Sequence, residues 1–434
     1  MKSSWGRSEA TPRSHSRSTF ADDERTRGRR NLHSLLNAPL FGSGVGDAQT
    51  VLIRISGPDR AGINAGLMAV LDVCDASVQD IEQIVIRGQI LLGVVVDVPA
   101  GRDLLRNVLL WGWEERIEVD VEVVPPTPTP STPGLVVTVL GPNVTPGEFG
   151  AVTRAIADIG ANIDRIVRLS RYPVMSYELL VRTSEEQKLR RALLTAAAAE
   201  PDLDVAVQRE GLGRRAKRLV VLDVDSTLIQ DEVIELLAAE AGCLAEVKAM
   251  TDAAMAGELD FEDSLRERVR LLAGLDVEAV DRAWANLRYT PGAATFLRTL
   301  RRLGYVVAVV SGGFTVFTDR LRDDLGLDAA FANQLEIVDG SFTGEVIGDI
   351  VDRNRKAALL RNIADEVGIP IEQTVAVGDG ANDLAMLEAA GLGVAFNAKP
   401  IVTAAADTSV TVPYLDAVLF MLGIRREDIE AADA

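Results

Sequence analysis

The sequence predicts an α/β protein: a doubly wound, Rossmann-like parallel sheet with a helical cap, preceded by two ferredoxin-like βαββαβ modules. Three observations predict it. A pattern of turns and apolar runs occurs twice in the first half, with Gly57-Pro58 matching Gly141-Pro142 at an offset of 84 and Ala76 matching Ala161 at an offset of 85. Repetition at a fixed period is the signature of a duplicated structural unit. Pro125 to Pro133 then separates the copies with a proline-rich run, which acts as a stiff, extended spacer. From Leu219 onward short apolar runs alternate with helical patterns, and such alternation specifies a parallel sheet covered by helices.

Along the chain, residues 1–47 hold eight basic and five acidic side chains among Ser, Gly and Thr without sustained periodicity, and are expected to form a disordered tail. The first module spans 48–124. Val51 to Ile55 is a strand, Gly57 to Gly62 a turn, and Ile63, Leu67, Leu71 and Cys74 recur at helical spacing. Strands over Ile81–Ile86 and Ile90–Val96, a helix over Leu104–Trp111 and a strand over Ile117–Val124 complete it. The second module spans 134–210, with strands over Leu135–Leu140, Ile163–Leu169 and Ser176–Val181 and a helix carrying Phe149, Val152 and Ile156. Gly211 to Arg218, with four basic residues, reads as an exposed hinge. The remaining unit covers 219–434, with a helical insertion at about 232–288 forming the cap. Its elements are strands ending at Asp223, Val310 and Val377, helices over 292–303, 314–325, 355–367 and 383–390, and a hairpin at Asp339-Gly340.

Composition narrows the chemistry. With 45 Lys+Arg against 64 Asp+Glu the net charge is −19, which disfavours nucleic acid and anionic membranes as partners. No apolar run reaches the length of a membrane span. Both histidines, His15 and His33, fall in the tail, so a Ser/His/Asp triad or a histidine metal site has no residues to draw on. Cys74 and Cys243 stand far apart without metal-binding spacing, and the expectation is two buried thiols in a reducing cytoplasm. Carboxylates, lysine, arginine and hydroxyls must therefore carry the chemistry.

They recur at four stations: Asp223/Asp225/Thr227, then Ser311-Gly312-Gly313, then Lys356, then Gly378 through Asp383. Taken singly each has a plain structural explanation, as helix cap, surface charge or turn. Taken together, they converge, because the carboxyl ends of parallel strands share one sheet edge.

The four stations resemble the motifs of the haloacid dehalogenase-type phosphatases. The resemblance implies that Asp223 is a nucleophile forming an aspartyl-phosphate. Asp225 would handle the leaving-group and water protons. Asp223, Asp379 and the Asp225 carbonyl would hold Mg²⁺, with Asp383 in support. Ser311, Gly312 and Lys356 would neutralise the phosphoryl oxygens. Glu232, together with Phe261 to Val269 and Ser311 to Thr315, is similar to the phosphoserine phosphatases within that group. By that likeness Arg268 binds the carboxylate of O-phospho-L-serine, Glu232 its ammonium, Asn382 lies on the phosphate side, and Met255 and Phe261 exclude water. The product would be L-serine, at the end of serine biosynthesis.

The modules at 48–124 and 134–210 resemble tandem ACT domains, on the turn Gly57, Asp59 and Gly62; Asn143 and Pro146 stand near the matching places in the second copy. This implies an amino-acid effector, such as serine, and a homodimer. Two other functions fit the same residues: a phosphatase or phosphotransferase for another small phospho-amino acid, or an amino-acid-binding regulator with a vestigial catalytic domain.

Overall fold

The computed structural model describes residues 49–125, 134–200, 202–255 and 261–433. The predicted disordered tail, most of the proline-rich spacer and the side chain of Met255 lie outside the described residues. Three sheets are built. Strands β1 (Gln49–Pro58), β2 (Ser77–Ile86), β3 (Gln89–Val98) and β4 (Glu118–Val123) form an antiparallel sheet in the order β2-β3-β1-β4. Strands β5 (Gly134–Gly141), β6 (Asn162–Ser170), β7 (Met175–Arg182) and β8 (Asp204–Arg209) repeat that order as β6-β7-β5-β8. The third sheet has seven strands: β9 (Leu219–Leu222), β10 (Val306–Phe314), β11 (Ala329–Val338), β12 (Ser341–Ile347), β13 (Thr374–Gly378), β14 (Gly393–Phe396) and β15 (Thr408–Val410), in the order β12-β11-β10-β9-β13-β14-β15. It is parallel except at β12, which returns antiparallel from the predicted hairpin.

In the first module Val51, Ile53 and Ile55 alternate inward and meet Ile63, Leu67 and Leu71 of one helix and Leu104, Val108 and Trp111 of the other. The helices pack closely because Gly66 leaves room: a Cβ there would stand 2.5 Å from Trp111 Nε1. The opposite sheet face is charged and exposed, with Arg54 ion-paired to Asp120 and Glu122.

The second module uses the same plan differently. Leu135, Val137 and Val139 face its helices, Pro146–Asp158 and Glu186–Ala198. Its other face is not wet, and every residue of β5 is buried. Leu140 and Ala206 share one core with Leu419, Phe420 and Met421 of the seven-stranded unit. Polar contacts fix the junction. Gln208 Nε2 donates to Met421 O at 2.8 Å, and Arg190 Nη1 to Asp407 O at 3.3 Å. Asp204 accepts from Ser409 Oγ at 3.0 Å and from Thr411 N and Oγ1 at 2.7 and 3.0 Å.

Two sequence expectations need correction. Residues 211–218 are an exposed hinge only in part: Gly211 to Gly213 and Arg218 are exposed, whereas Arg214 and Lys217 turn inward. Leu212–Arg215 is a short helix, Lys217 is buried, and Arg214 is buried against Glu178 at 2.6 Å. Two basic residues read as solvated from sequence, Arg214 and Lys217, are instead held by Glu178 and by the Glu372 carbonyl. Cys243 is only half-buried, unlike Cys74. It follows Gly242, which caps the Val233–Ala241 helix in the left-handed conformation, and that turn keeps it near the surface.

Burial pushes the Asp204 carboxyl up to about 6, partly offset by the hydrogen bonds from Thr411 and Ser409. A carboxyl whose pKa is raised by docking favours the docked state when protonated. The junction is therefore expected to be tightest below about pH 4 and to loosen as pH rises through about 6. Amide exchange at residues 408–411, corrected for intrinsic rates, should show this dependence, and Asp204→Asn should flatten it. An unchanged slope in the variant would assign the effect elsewhere.

Candidate active site

The site begins with β9. Its four residues, Leu219 to Leu222, are fully buried between parallel neighbours β10 and β13. A strand covered on both faces must be apolar throughout, so the first polar residue, Asp223, falls at its carboxyl end. The chain leaves β9 toward β10 and β11 and later returns on the other side as β13 and β14. This is the switch point where open α/β sheets form their crevice.

The turn Val224–Leu228 redirects the chain, with Ser226 left-handed at φ 55°. For a non-glycine residue that costs roughly 1 kcal/mol. The return is placement: Ser226 Oγ donates to Glu232 Oε1 at 2.9 Å. Asp225 is clamped between cap and core, Oδ1 accepting Val233 N at 2.7 Å and Oδ2 accepting Ser311 Oγ at 3.0 Å. Gly313 N donates in turn to Ser311 Oγ at 2.8 Å. Gly313 must lack a side chain, since a Cβ would meet Val233 at 2.7 Å and Asp225 Oδ2 at 2.8 Å.

Lys356 is completely buried, with Nζ 2.8 Å from Asp223 Oδ1 and 2.7 Å from Asp383 Oδ1. Burial disfavours its charge, but the two carboxylates more than offset this and its pKa is raised. Asp383 Oδ2 also accepts Gly380 N at 3.0 Å, and Thr227 Oγ1 donates to Asp379 Oδ1 at 3.2 Å. Carboxylate oxygens of Asp223, Asp379 and Asp383 lie within 4.8 Å of one another. One ammonium among two buried acids and a half-buried one leaves negative charge uncompensated. Burial, then the charge of Asp383, holds Asp223 well above the usual carboxylate range and pushes Asp379 up to about 7. Clustered hard oxygen donors with excess negative charge fit a divalent cation.

A cavity of about 480 Å³ opens over this edge, lined by Asp223, Asp225, Glu232, Arg268, Asp379 and Asn382 among others. Phe261, Leu265 and Val233 supply apolar wall. Burial and the charge of Asp225 push Glu232 up to about 8. Burial lowers the pKa of Arg268, which is 6 % exposed.

Of the sequence-predicted residues, Asp223, Asp225, Glu232, Arg268, Gly312, Asp379 and Asn382 all line the cavity. Ser311 and Lys356 stand directly behind it, fully buried and bonded to Asp225 and Asp223. Ser311 is within β10 rather than after it. Thr251, Asp352, Arg353 and Lys399 also line the cavity, and sequence reasoning missed them. Lys399 had a signal: it follows the apolar run Gly393–Phe396 much as Asp223 follows β9. Thr251 had none, being one hydroxyl inside a helix.

A family model for haloacid dehalogenase-like hydrolases matches residues 220–388, and two models for ACT domains match 49–123 and 134–208. The chain is 55 % identical over 391 residues to a phosphoserine phosphatase of Streptomyces coelicolor, covering 89 % of this chain and 95 % of that one. It is 49 % identical to a phosphoserine phosphatase of Mycobacterium tuberculosis, over 89 % of this chain and 96 % of that protein. A solved structure of a probable phosphoserine phosphatase from Vibrio cholerae is 37 % identical, with a TM-score of 0.53 over 69 % of this chain and 88 % of that one.

Because a cation competes with the proton on Asp379, its affinity should rise with pH through about 7. Titrations followed by the cation-induced rise in Tm should give an affinity about tenfold weaker at pH 6 than at pH 8. Asp379→Asn should weaken the pH dependence between about pH 6 and 8 along with most of the affinity.

Proposed function

The chain belongs to the phosphoserine phosphatases, haloacid dehalogenase-like hydrolases here joined to two ACT domains, and we propose that Asp223 is its nucleophile and Mg²⁺ its cation. The observation that carries this reading is Asp223 itself. It ends a buried strand, Lys356 and Val224 N hold its Oδ1 at 2.8 Å each, and it faces a cavity that also presents a buried arginine and a half-buried glutamate.

Arg268 takes the substrate carboxylate, a group its guanidinium fork matches, and Glu232 takes the ammonium. The arriving positive charge offsets what raised the Glu232 pKa, so the glutamate binds as the anion. The Asp223 carboxylate attacks phosphorus. The P–O bond to the seryl oxygen breaks, and that oxygen takes the proton of Asp225. Burial favours the protonated form of Asp225 that this step requires. Asp225 then accepts a proton from water as the water oxygen attacks phosphorus. The bond to Asp223 breaks, releasing phosphate and restoring the carboxylate. Mg²⁺ held by Asp223, Asp379 and the Asp225 carbonyl, with Asp383 behind, would supply charge neutralisation at the phosphoryl oxygens. Lys356 favours the ionised form of Asp223 against burial and the neighbouring acids and aligns its oxygen, and Gly312, Ser311 and Asn382 complete the phosphate side.

The same proposal includes amino-acid regulation through the ACT domains, with serine as effector, and a homodimer. The edge strand β2 is exposed along its whole length and presents Ile81, Ile84, Val85 and Ile86, a surface suited to pairing. A cytoplasmic setting is supported by the two free thiols, Cys74 and Cys243.

With Mg²⁺ the protein should release phosphate from O-phospho-L-serine, and Asp223→Asn should lower kcat by on the order of 10³-fold or more. Equal rates would sink the mechanism, and a sugar phosphate outperforming phosphoserine would sink the substrate. Calorimetric titration of the full chain with L-serine should resolve two classes of site, one at the active site and one at the ACT domains. A single class would remove the regulatory part.

A further inference from the structure

Arg268 reaches the cavity from the Phe261–Arg270 helix, and two of its nitrogens are already engaged. Nε donates to Ser264 O at 3.2 Å, one turn back on its own helix. Nη1 donates to Thr251 Oγ1 at 3.1 Å, across to the Leu244–Met255 helix. Among the described residues no carboxylate lies within ion-pair distance of it. A guanidinium has five N–H groups, so three remain, enough for the two-pronged grip of a carboxylate.

Thr251 is 3 % exposed and lines the same cavity. Its hydroxyl hydrogen is spent, because Oγ1 donates to Val247 O at 3.0 Å one turn earlier. The oxygen can therefore offer the guanidinium only a lone pair, in a direction fixed by the helix. Arginine carries a long side chain of high rotamer entropy, and one contact within its own helix does not fix its plane. The contact from a second helix does. Ordering a binding group beforehand spares the ligand that cost.

We propose that Thr251 is a positioning residue that sets the enzyme's preference for substrates carrying a carboxylate, by locking the plane of Arg268. This rests on the assignment of Arg268 as the carboxylate's partner. Removing the acceptor leaves a buried, charged N–H without a partner and lets the guanidinium turn away from the cavity. The phosphate end of the substrate, held by other residues, is untouched by that change.

The test compares kcat/KM for O-phospho-L-serine with that for O-phosphoethanolamine, which keeps the phosphate and ammonium but lacks the carboxylate. Thr251→Val should lower the ratio of the two by about tenfold, mainly through KM for phosphoserine. Thr251→Ser, which restores the acceptor, should hold the ratio within about twofold of the parent. Should valine not be accommodated in the fold, Thr251→Ala is read the same way. A loss shared equally by both substrates is a packing effect and overturns the proposal. Arg268→Gln separates it from its premise. If that variant erases the preference while Thr251→Val retains it, the positioning role fails and the arginine's role stands. If Arg268→Gln itself keeps the preference, the premise fails and the proposal falls with it.

Discussion

An ammonium group with no access to water lies between two carboxylates at the centre of this protein, and the site is arranged around that fact. Lys356 is tied to Asp223 and Asp383 at 2.8 and 2.7 Å. Taking such charges out of water is expensive, and the arrangement survives only because each is paired and hydrogen-bonded. The lysine does not neutralise the site. Asp379 and Asp225 stand close enough to raise the pKa of Asp223 further. The surplus negative charge is what a cation would balance. Structure and catalysis therefore draw on the same ions: the lysine that stabilises the folded acids also fixes the oxygen of the proposed nucleophile.

The cap and the sheet divide the remaining work. Asp225 is held by one donor from each, the amide of Val233 at the start of the cap and the hydroxyl of Ser311 in β10. The proposed acid/base group thus touches both halves of the crevice at once. The groups proposed to read the substrate's amino-acid portion, Glu232 and Arg268, belong to the cap, while those proposed for phosphate and cation belong to the sheet edge. Substrate choice can vary in such a design without disturbing the phosphoryl chemistry.

Much of this was legible in the sequence, and for a physical reason. A fully buried parallel strand must be apolar, so its polar terminus stands out, as at Asp223 and again at Gly378-Asp379. Repeat spacing gave the two small modules. What escaped were contacts between elements distant in sequence. Lys356 was legible as a group for the phosphoryl oxygens, but not its ion pairs to Asp223 and Asp383, and Thr251 acquires meaning only beside Arg268. Within 211–218, Arg214 and Lys217 were misjudged because arginine and lysine are usually solvated, whereas here Glu178 and the Glu372 carbonyl receive them.

The two ACT domains share a topology but not a fate, and their first strands differ accordingly. In β1 the outward positions Leu52, Arg54 and Ser56 face Glu122, Asp120 and Glu118. In β5 the equivalent positions are Val136, Thr138 and Leu140, opposite Gln208, Ala206 and Asp204. One copy kept a wettable face, and the other exchanged it for a surface that closes the hydrolase core. The boundary drawn by homology near residue 219 is therefore not a boundary of cooperativity. A protein cut there would bring Phe420 and Met421 to water, and the second ACT domain and the hydrolase should melt as one unit.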